Sequence, residues 1–231
     1  MRFAIIGAMQ EEVQGIKREL KDLKEVNKYG SVYYVGRIGK NDIVLTASNV
    51  GISAAASQLT SIILSFDIDY VINIGVCGGF FGKVNLLDVV VVMRAGYYDA
   101  DATTFPEYAY GQIPRYPKFF ECDNSLALGK DYVYGDIVSG DKFVSRLEQV
   151  ENQISKIDYL NPICVDMESA SFAQTAYKYN KPIMIVRTIS DIIGAPNQGQ
   201  TYRNILSEAS NKSCKFILDI LEGKWYNNKG L

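Results

Sequence analysis

Several β-type stretches of this chain are continuous apolar runs rather than alternating ones. RFAIIG at 2–7, YVINIG at 70–75, LDVVVVMRA at 87–95 and IMIVRTI at 183–189 are the main ones. A strand that is apolar at every position must be covered on both faces, so helices have to lie on both sides of the sheet. The intervening segments supply them. Residues 10–24 place Val13, Ile16, Leu20 and Leu23 at helical spacing, and residues 53–66 place Leu59, Ile62, Ile63 and Phe66 on one side. Residues 167–179 and 200–222 read as helices too, the latter through Tyr202, Ile205, Leu206, Ala209, Phe216, Ile217 and Ile220. The β-rich segments 31–38 and 42–48, split by Gly39-Lys40-Asn41, predict a hairpin, which makes the sheet mixed. Further strands are predicted over 132–138 and 163–165. The prolines between Pro106 and Pro117 mark one extended loop. No repeat, low-complexity segment or linker divides the chain, so residues 1–231 are expected to form one domain.

The sequence contains no histidine. That removes the Ser-His-Asp triad, the Cys-His pair and imidazole-based zinc sites, and leaves proton chemistry to Asp, Glu, Lys, Tyr, Cys or water. The four cysteines are more than forty residues apart, with no C-x-x-C, which suits neither a metal site nor a disulfide scaffold and suggests a reduced, cytoplasmic protein. A net charge of −2 gives no reason to expect nucleic acid or an anionic membrane as partner. The opening apolar run is seven residues long and is followed by two glutamates, which reads as a strand rather than a leader.

Ligands of open α/β sheets bind beyond the carboxyl ends of the strands. The segments at those ends are GAMQEE (7–12), SNVGISAAAS (48–57), GVCGGFFG (75–82), VDMESASFA (165–173) and SDIIG (190–194). Each has an ordinary explanation. Glu11 and Glu12 suit the positive end of a helix, Asp166 and Glu168 suit a helix start, and Ser190-Asp191 suits a cap or Asx-turn. Met9, Met167 and Phe143 suit the core. Yet Glu12, Glu168 and Asp191 fall at the ends of three different strands. Converging carboxylates raise one another's pKa and supply an acid and a base without histidine. Arg187, inside an apolar strand, has to pair with a carboxylate or face a polar site.

Taken together, GAMQEE, NVGISAAA (49–56), NIGVCGG (73–79), YYDADATTF (97–105), SGDKF (139–143), VDMESASFA and RTISD (187–191) resemble, in order and over nearly the whole chain, the bacterial 5′-methylthioadenosine/S-adenosylhomocysteine nucleosidases of the nucleoside phosphorylase/nucleosidase superfamily. The resemblance implies a three-layer α/β/α fold around a twisted mixed sheet. It also implies a homodimer, no metal or organic cofactor, and hydrolysis of the adenine–ribose bond of methylthioadenosine, S-adenosylhomocysteine and 5′-deoxyadenosine. Asp191, supported by Ser190, matches the acid at adenine N7. Glu12 matches the water-activating carboxylate, Glu168 the ribose-binding one, and Arg187 the residue that positions the water or Glu168. Met9, Val50, Met167 and Phe143 would wall ribose and base. Val76 would stand next to the water, Gly78 would be a further substrate-binding residue, and the Val144 backbone would read the adenine edge. The 5′ pocket would draw on Phe105, Tyr202 and the partner's Tyr108.

Three departures stand out. Val76 replaces a usual Ser or Thr, Tyr98 replaces a usual histidine, and the 105–111 loop is one residue longer. The alternatives are an aminodeoxyfutalosine hydrolase, a purine nucleoside phosphorylase and a non-catalytic nucleoside-binding protein. Two glutamates in the first loop would repel the phosphate a phosphorylase must hold.

Overall fold

The computed structural model describes residues 1–127 and 132–223. The single-domain expectation also covers 128–131 and 224–231, which lie outside the described residues.

The chain runs β1 (Arg2–Gly7), α1 (Gln10–Glu19), β2 (Lys21–Lys28), β3 (Ser31–Ile38), β4 (Asn41–Ala47), α2 (Ile52–Ser65), β5 (Tyr70–Gly79), β6 (Val89–Tyr97) and β7 (Phe120–Glu121). It continues through β8 (Val133–Ser139), the short α3 (Glu151–Ile154), β9 (Pro162–Asp166), α4 (Ser169–Lys178), β10 (Ile183–Ile192) and α5 (Gln198–Leu221). All ten strands join one mixed sheet, and helices cover both of its faces. The apolar runs explain the layering. In β1, Phe3 and Ile5 pack with Val13 and Ile16 of α1 and with Phe216 and Ile217 of α5. Ala4 and Ile6, pointing the other way, pack with Leu59 and Ile62 of α2 and Phe172 of α4. A strand sandwiched in this way has no solvent face on which to place polar residues.

Two features were not legible beforehand. β10 pairs parallel with β5 and antiparallel with β6, so the path β10-β6-β8-β9-β5 returns to β10 and closes a five-stranded ring. β1, β4, β3 and β2 extend from that ring as an open sheet. The expected helix over 10–24 also ends early. Leu20 adopts an extended conformation, Asp22 takes φ 53°, and residues 21–28 become edge strand β2. Leu23 is therefore exposed rather than buried on a helix face. Lysines at 21, 24 and 28 protect this edge from pairing with another chain. Among the described residues, no helix is long and apolar enough to cross a membrane.

β1, β4, β5 and β10 are mutually parallel, so their carboxyl ends lie on one side of the molecule. β8 and β9 bring Ser139 and Asp166 into register there as well.

Candidate active site

A cavity at these strand ends is lined by segments from seven parts of the chain, and its polar floor carries four carboxylates, Glu12, Asp166, Glu168 and Asp191. Glu12, in the first turn of α1, turns its side chain back onto the backbone. Its Oε2 accepts the N–H groups of Ala8 (2.6 Å) and Met9 (2.9 Å), and Oε1 accepts that of Val76 (3.0 Å). The Met9 bond is half of a capping box, so the helix-start explanation for Glu12 is correct locally. It is incomplete, because the Val76 bond crosses to β5. Glycines make the room. A Cβ on Gly75 would lie 2.7 Å from Glu12 Oε1, and one on Gly7 would lie 2.9 Å from Glu12 Cβ. Burial raises the Glu12 pKa above the usual glutamate value, against the opposing pull of Arg187 and the three backbone N–H groups.

Glu168 precedes α4, and its Oε1 accepts the N–H of Gly51 (2.8 Å). Gly51 has φ 105°, a conformation that needs glycine. Burial, reinforced by the charge of Asp166, pushes Glu168 up to about 7. Asp191 sits at the end of β10, where the pairing with β5 skips Ser190: Ile189 opposes Cys77 and Asp191 opposes Gly78. This bulge aims Asp191 into the cavity. Ser190-Asp191 is therefore an irregular strand end rather than a cap. Asp191 Oδ1 accepts from Ser190 Oγ (2.6 Å), and burial raises its pKa above the usual aspartate value.

Arg187 lies behind this floor, only 2% exposed and not in contact with the cavity. It donates to Asp166 Oδ2 through Nε (3.0 Å) and to Asn73 Oδ1 (2.6 Å). Asp166 also takes the hydroxyls of Ser139 and Ser169, both at 2.5 Å, and the Ser169 backbone N–H. So the partner of Arg187 is Asp166 rather than Glu168: Asp166 ends β9 at the cavity wall and takes the guanidinium, while Glu168, two residues on, accepts the Gly51 N–H instead. Burial lowers the Arg187 pKa, but the charges of Asp166, Glu12 and Glu168 outweigh it and raise the net value. One guanidinium committed to Asp166 leaves Glu12 and Glu168 without a counter-ion of their own. A cationic ligand or transition state would be stabilised between them.

The walls include Met9, Val50, Val76, Gly78, Phe143, Val144, Met167, Ser190 and Tyr202 from the expected set. The Phe143 and Tyr202 rings meet edge-on at 5.5 Å, and the Tyr202 hydroxyl reaches Met9 Sδ at 3.6 Å. Phe105 and Tyr108 do not line the cavity. Phe105 is 57% exposed, because the 99–118 loop folds through its own turns and against Tyr159, as in Gly111 N–H to Ala100 O (2.7 Å) and Tyr159 Oη–H to Tyr110 O (2.7 Å). Phe105 is thus not a 5′-pocket wall within one chain.

Sequence reasoning missed Gln198 and Asn73, which bond to Asp191 and Arg187, and gave Asp166 only a capping role. A buried amide amid apolar neighbours, as in YVINI, was the available signal for Asn73. Gln198 offered none. Among the described residues, no group of His, Cys, Asp and Glu is arranged to hold a metal, and the four cysteines are buried and free.

The profile of the phosphorylase superfamily matches residues 2–222. A 5′-methylthioadenosine/S-adenosylhomocysteine nucleosidase of Staphylococcus carnosus is 34% identical over 227 residues, covering 94% of this chain and 98% of its own. The Streptococcus pyogenes S-adenosylhomocysteine nucleosidase in complex with 5-methylthiotubericidin superposes with a TM-score of 0.89 at 31% identity, covering 96% of this chain and 97% of its own. The Streptococcus pneumoniae nucleosidase with the transition-state inhibitor MT-ImmA gives 0.88 at 28% identity, covering 96% and 99%.

Proposed function

Since the chain belongs to the 5′-methylthioadenosine/S-adenosylhomocysteine nucleosidases of the phosphorylase superfamily, and is an N-glycosyl hydrolase on that ground, we propose how its own residues divide the reaction. The observation that carries the reading is the convergence of Glu12, Glu168 and Asp191, from three separate strand ends, on one cavity.

Methylthioadenosine or S-adenosylhomocysteine binds with its purine toward Asp191 and Val144 and its ribose toward Glu168 and Met167. The C1′–N9 bond breaks and its electron pair passes into the purine. Neutral Asp191, its pKa raised by burial, gives its proton to N7. Ionised Glu12 removes a proton from water as the oxygen bonds to C1′. The products are adenine and the 5-thioribose, and the sum of the step is one water added. Glu168 holds the ribose hydroxyls, and the negative charge at the floor favours the oxocarbenium-like ribose. Arg187 acts at one remove, by fixing Asp166 and the start of α4 from which Glu168 projects. The Val144 backbone reads the purine edge, and Phe143, Val50 and Met9 pack on the sugar and base.

5′-Deoxyadenosine is a further substrate in this reading, because nothing described in the cavity requires sulfur. The 5′ end of the cavity is closed in a homodimer by Tyr108 of the partner subunit, and residues 1–231 act as one catalytic unit. No organic cofactor or metal enters any step. The test is an adenine-release assay with methylthioadenosine, S-adenosylhomocysteine, 5′-deoxyadenosine and inosine, with and without phosphate. Phosphate-independent release from the first three supports the reading. Release that needs phosphate and forms the corresponding 5-substituted ribose 1-phosphate refutes it.

A further inference from the structure

Each oxygen of the Asp191 carboxyl accepts one hydrogen bond from within the protein. Oδ1 takes the Ser190 hydroxyl, and Oδ2 takes Gln198 Nε2 at 2.6 Å. Gln198 is the first residue of α5, 5% exposed, and lies outside the cavity lining. Its amide is held at every polar atom. Oε1 accepts the Gly194 N–H (2.9 Å), and the second Nε2 hydrogen goes to the Val144 carbonyl (2.9 Å). This network determines the amide orientation. Gly194 N–H can only donate and the Val144 carbonyl can only accept, so a flipped amide would lose both bonds. One side chain therefore joins the bulged end of β10, the turn at Gly194 (φ 78°) and the loop that carries Phe143 and Val144.

We propose that Gln198 is a positioning residue for the purine end of the site: from behind the wall it holds the Asp191 carboxyl and the Val144 backbone at a fixed separation, and its N–H sets the strength of the Asp191 acid. The inference rests on the reading of Asp191 as proton donor. A donor to Oδ2 favours the ionised carboxylate, while burial favours the neutral one. Gln198 and Ser190 together oppose burial and prevent Asp191 from becoming too weak an acid. The other titratable groups around the cavity are Glu12 on α1, Cys77 on β5, Lys142, Asp166 at the end of β9, Glu168 before α4 and Tyr202 on α5. Among the described residues, only Ser190 and Gln198 hydrogen-bond to the Asp191 carboxyl.

Two variants test it. Q198M keeps the length and removes all three bonds. Q198E keeps an acceptor for Gly194 but turns a carboxylate toward Asp191. Both are assayed for adenine release from methylthioadenosine across pH, with thermal melting as a check on folding. The expected result in either folded variant is an alkaline limb of kcat moved upward by about one pH unit, since a hydrogen bond to a charged group is worth that much. kcat should also fall by about 10- to 100-fold, and adenine should bind more weakly. A purely structural role would lower the melting temperature and leave the limb in place. That outcome overturns the proposal. Wild-type protein with 15N-labelled glutamine side chains gives a test that needs no variant: the Gln198 amide resonance should shift as Asp191 titrates, and an amide blind to that titration also overturns it. Asp191→Asn keeps the two readings apart. If it retains turnover, the proton-donor assignment itself fails. If it loses turnover while both Gln198 variants keep the wild-type limb, only the role of Gln198 fails.

Discussion

Replacing Glu168 with glutamine should make the protein more stable at alkaline pH while crippling it as an enzyme. The pKa of Glu168 is raised from an ordinary 4.5 to about 7 by burial and by Asp166. A raised carboxylate binds its proton more tightly in the folded state. Its favourable contribution is therefore complete below the unfolded value and is lost as pH rises through the folded one. Above pH 8, Glu168 is ionised in a buried setting, with Arg187 already committed to Asp166. At 1.36 kcal/mol per pKa unit, the cost approaches about 3 kcal/mol, an upper bound because the cavity admits water. Glutamine removes that cost and still offers an oxygen to the Gly51 N–H. For a chain of this size, about 2–3 kcal/mol corresponds to a melting temperature roughly 4–10 °C higher. The assay is thermal unfolding of both proteins at pH 5 and pH 8.5, at one fixed protein concentration, so that any association stays comparable. Glu168→Gln should gain on the wild type at pH 8.5 and lose that advantage at pH 5, with adenine release greatly reduced at both. An offset that does not change with pH would refute the electrostatic reasoning. So would a wild type that is more stable at pH 8.5 than at pH 5.

Asp191→Asn and Glu12→Gln should each lower kcat by about 10²–10⁴-fold, the worth of a general acid or base, measured by adenine release. Both pKa values are raised by burial. With Glu12 acting as the ionised base and Asp191 as the neutral acid, turnover should fall on the acid side as Glu12 gains its proton and on the alkaline side as Asp191 loses its own; each single variant removes its own limb. Gly75→Ala puts a methyl 2.7 Å from Glu12 Oε1 and should cost at least about tenfold in kcat with little change in KM. Arg187→Met leaves Asp166 buried without its guanidinium and should destabilise the fold by about 3–5 kcal/mol in urea unfolding.

What the sequence determined by itself was local. The buried runs of β1, β5 and β10 could be read because a strand covered on both faces admits few polar residues. The first helix could be read only as far as Leu20, because the boundary depends on a left-handed turn at Asp22 and on an edge strand whose exposed lysines and acids carry no periodic signal. The candidate carboxylates were legible through position alone, as acids just past apolar strands.

Tertiary structure decided everything that depends on partners distant in the chain. Asn73 meets Arg187 across 114 residues, Gln198 meets Val144 across 54, and Asp166 meets Arg187 across 21. Ring closure through β10 and the bulge at Ser190 bring these groups to one place and aim Asp191. The withdrawal of Phe105 is likewise set by what its loop packs against. A single residue's helix or strand preference reflects its own covalent geometry and near neighbours. The choice of hydrogen-bond partner for a buried polar group is made only when packing removes water and leaves one acceptor within reach.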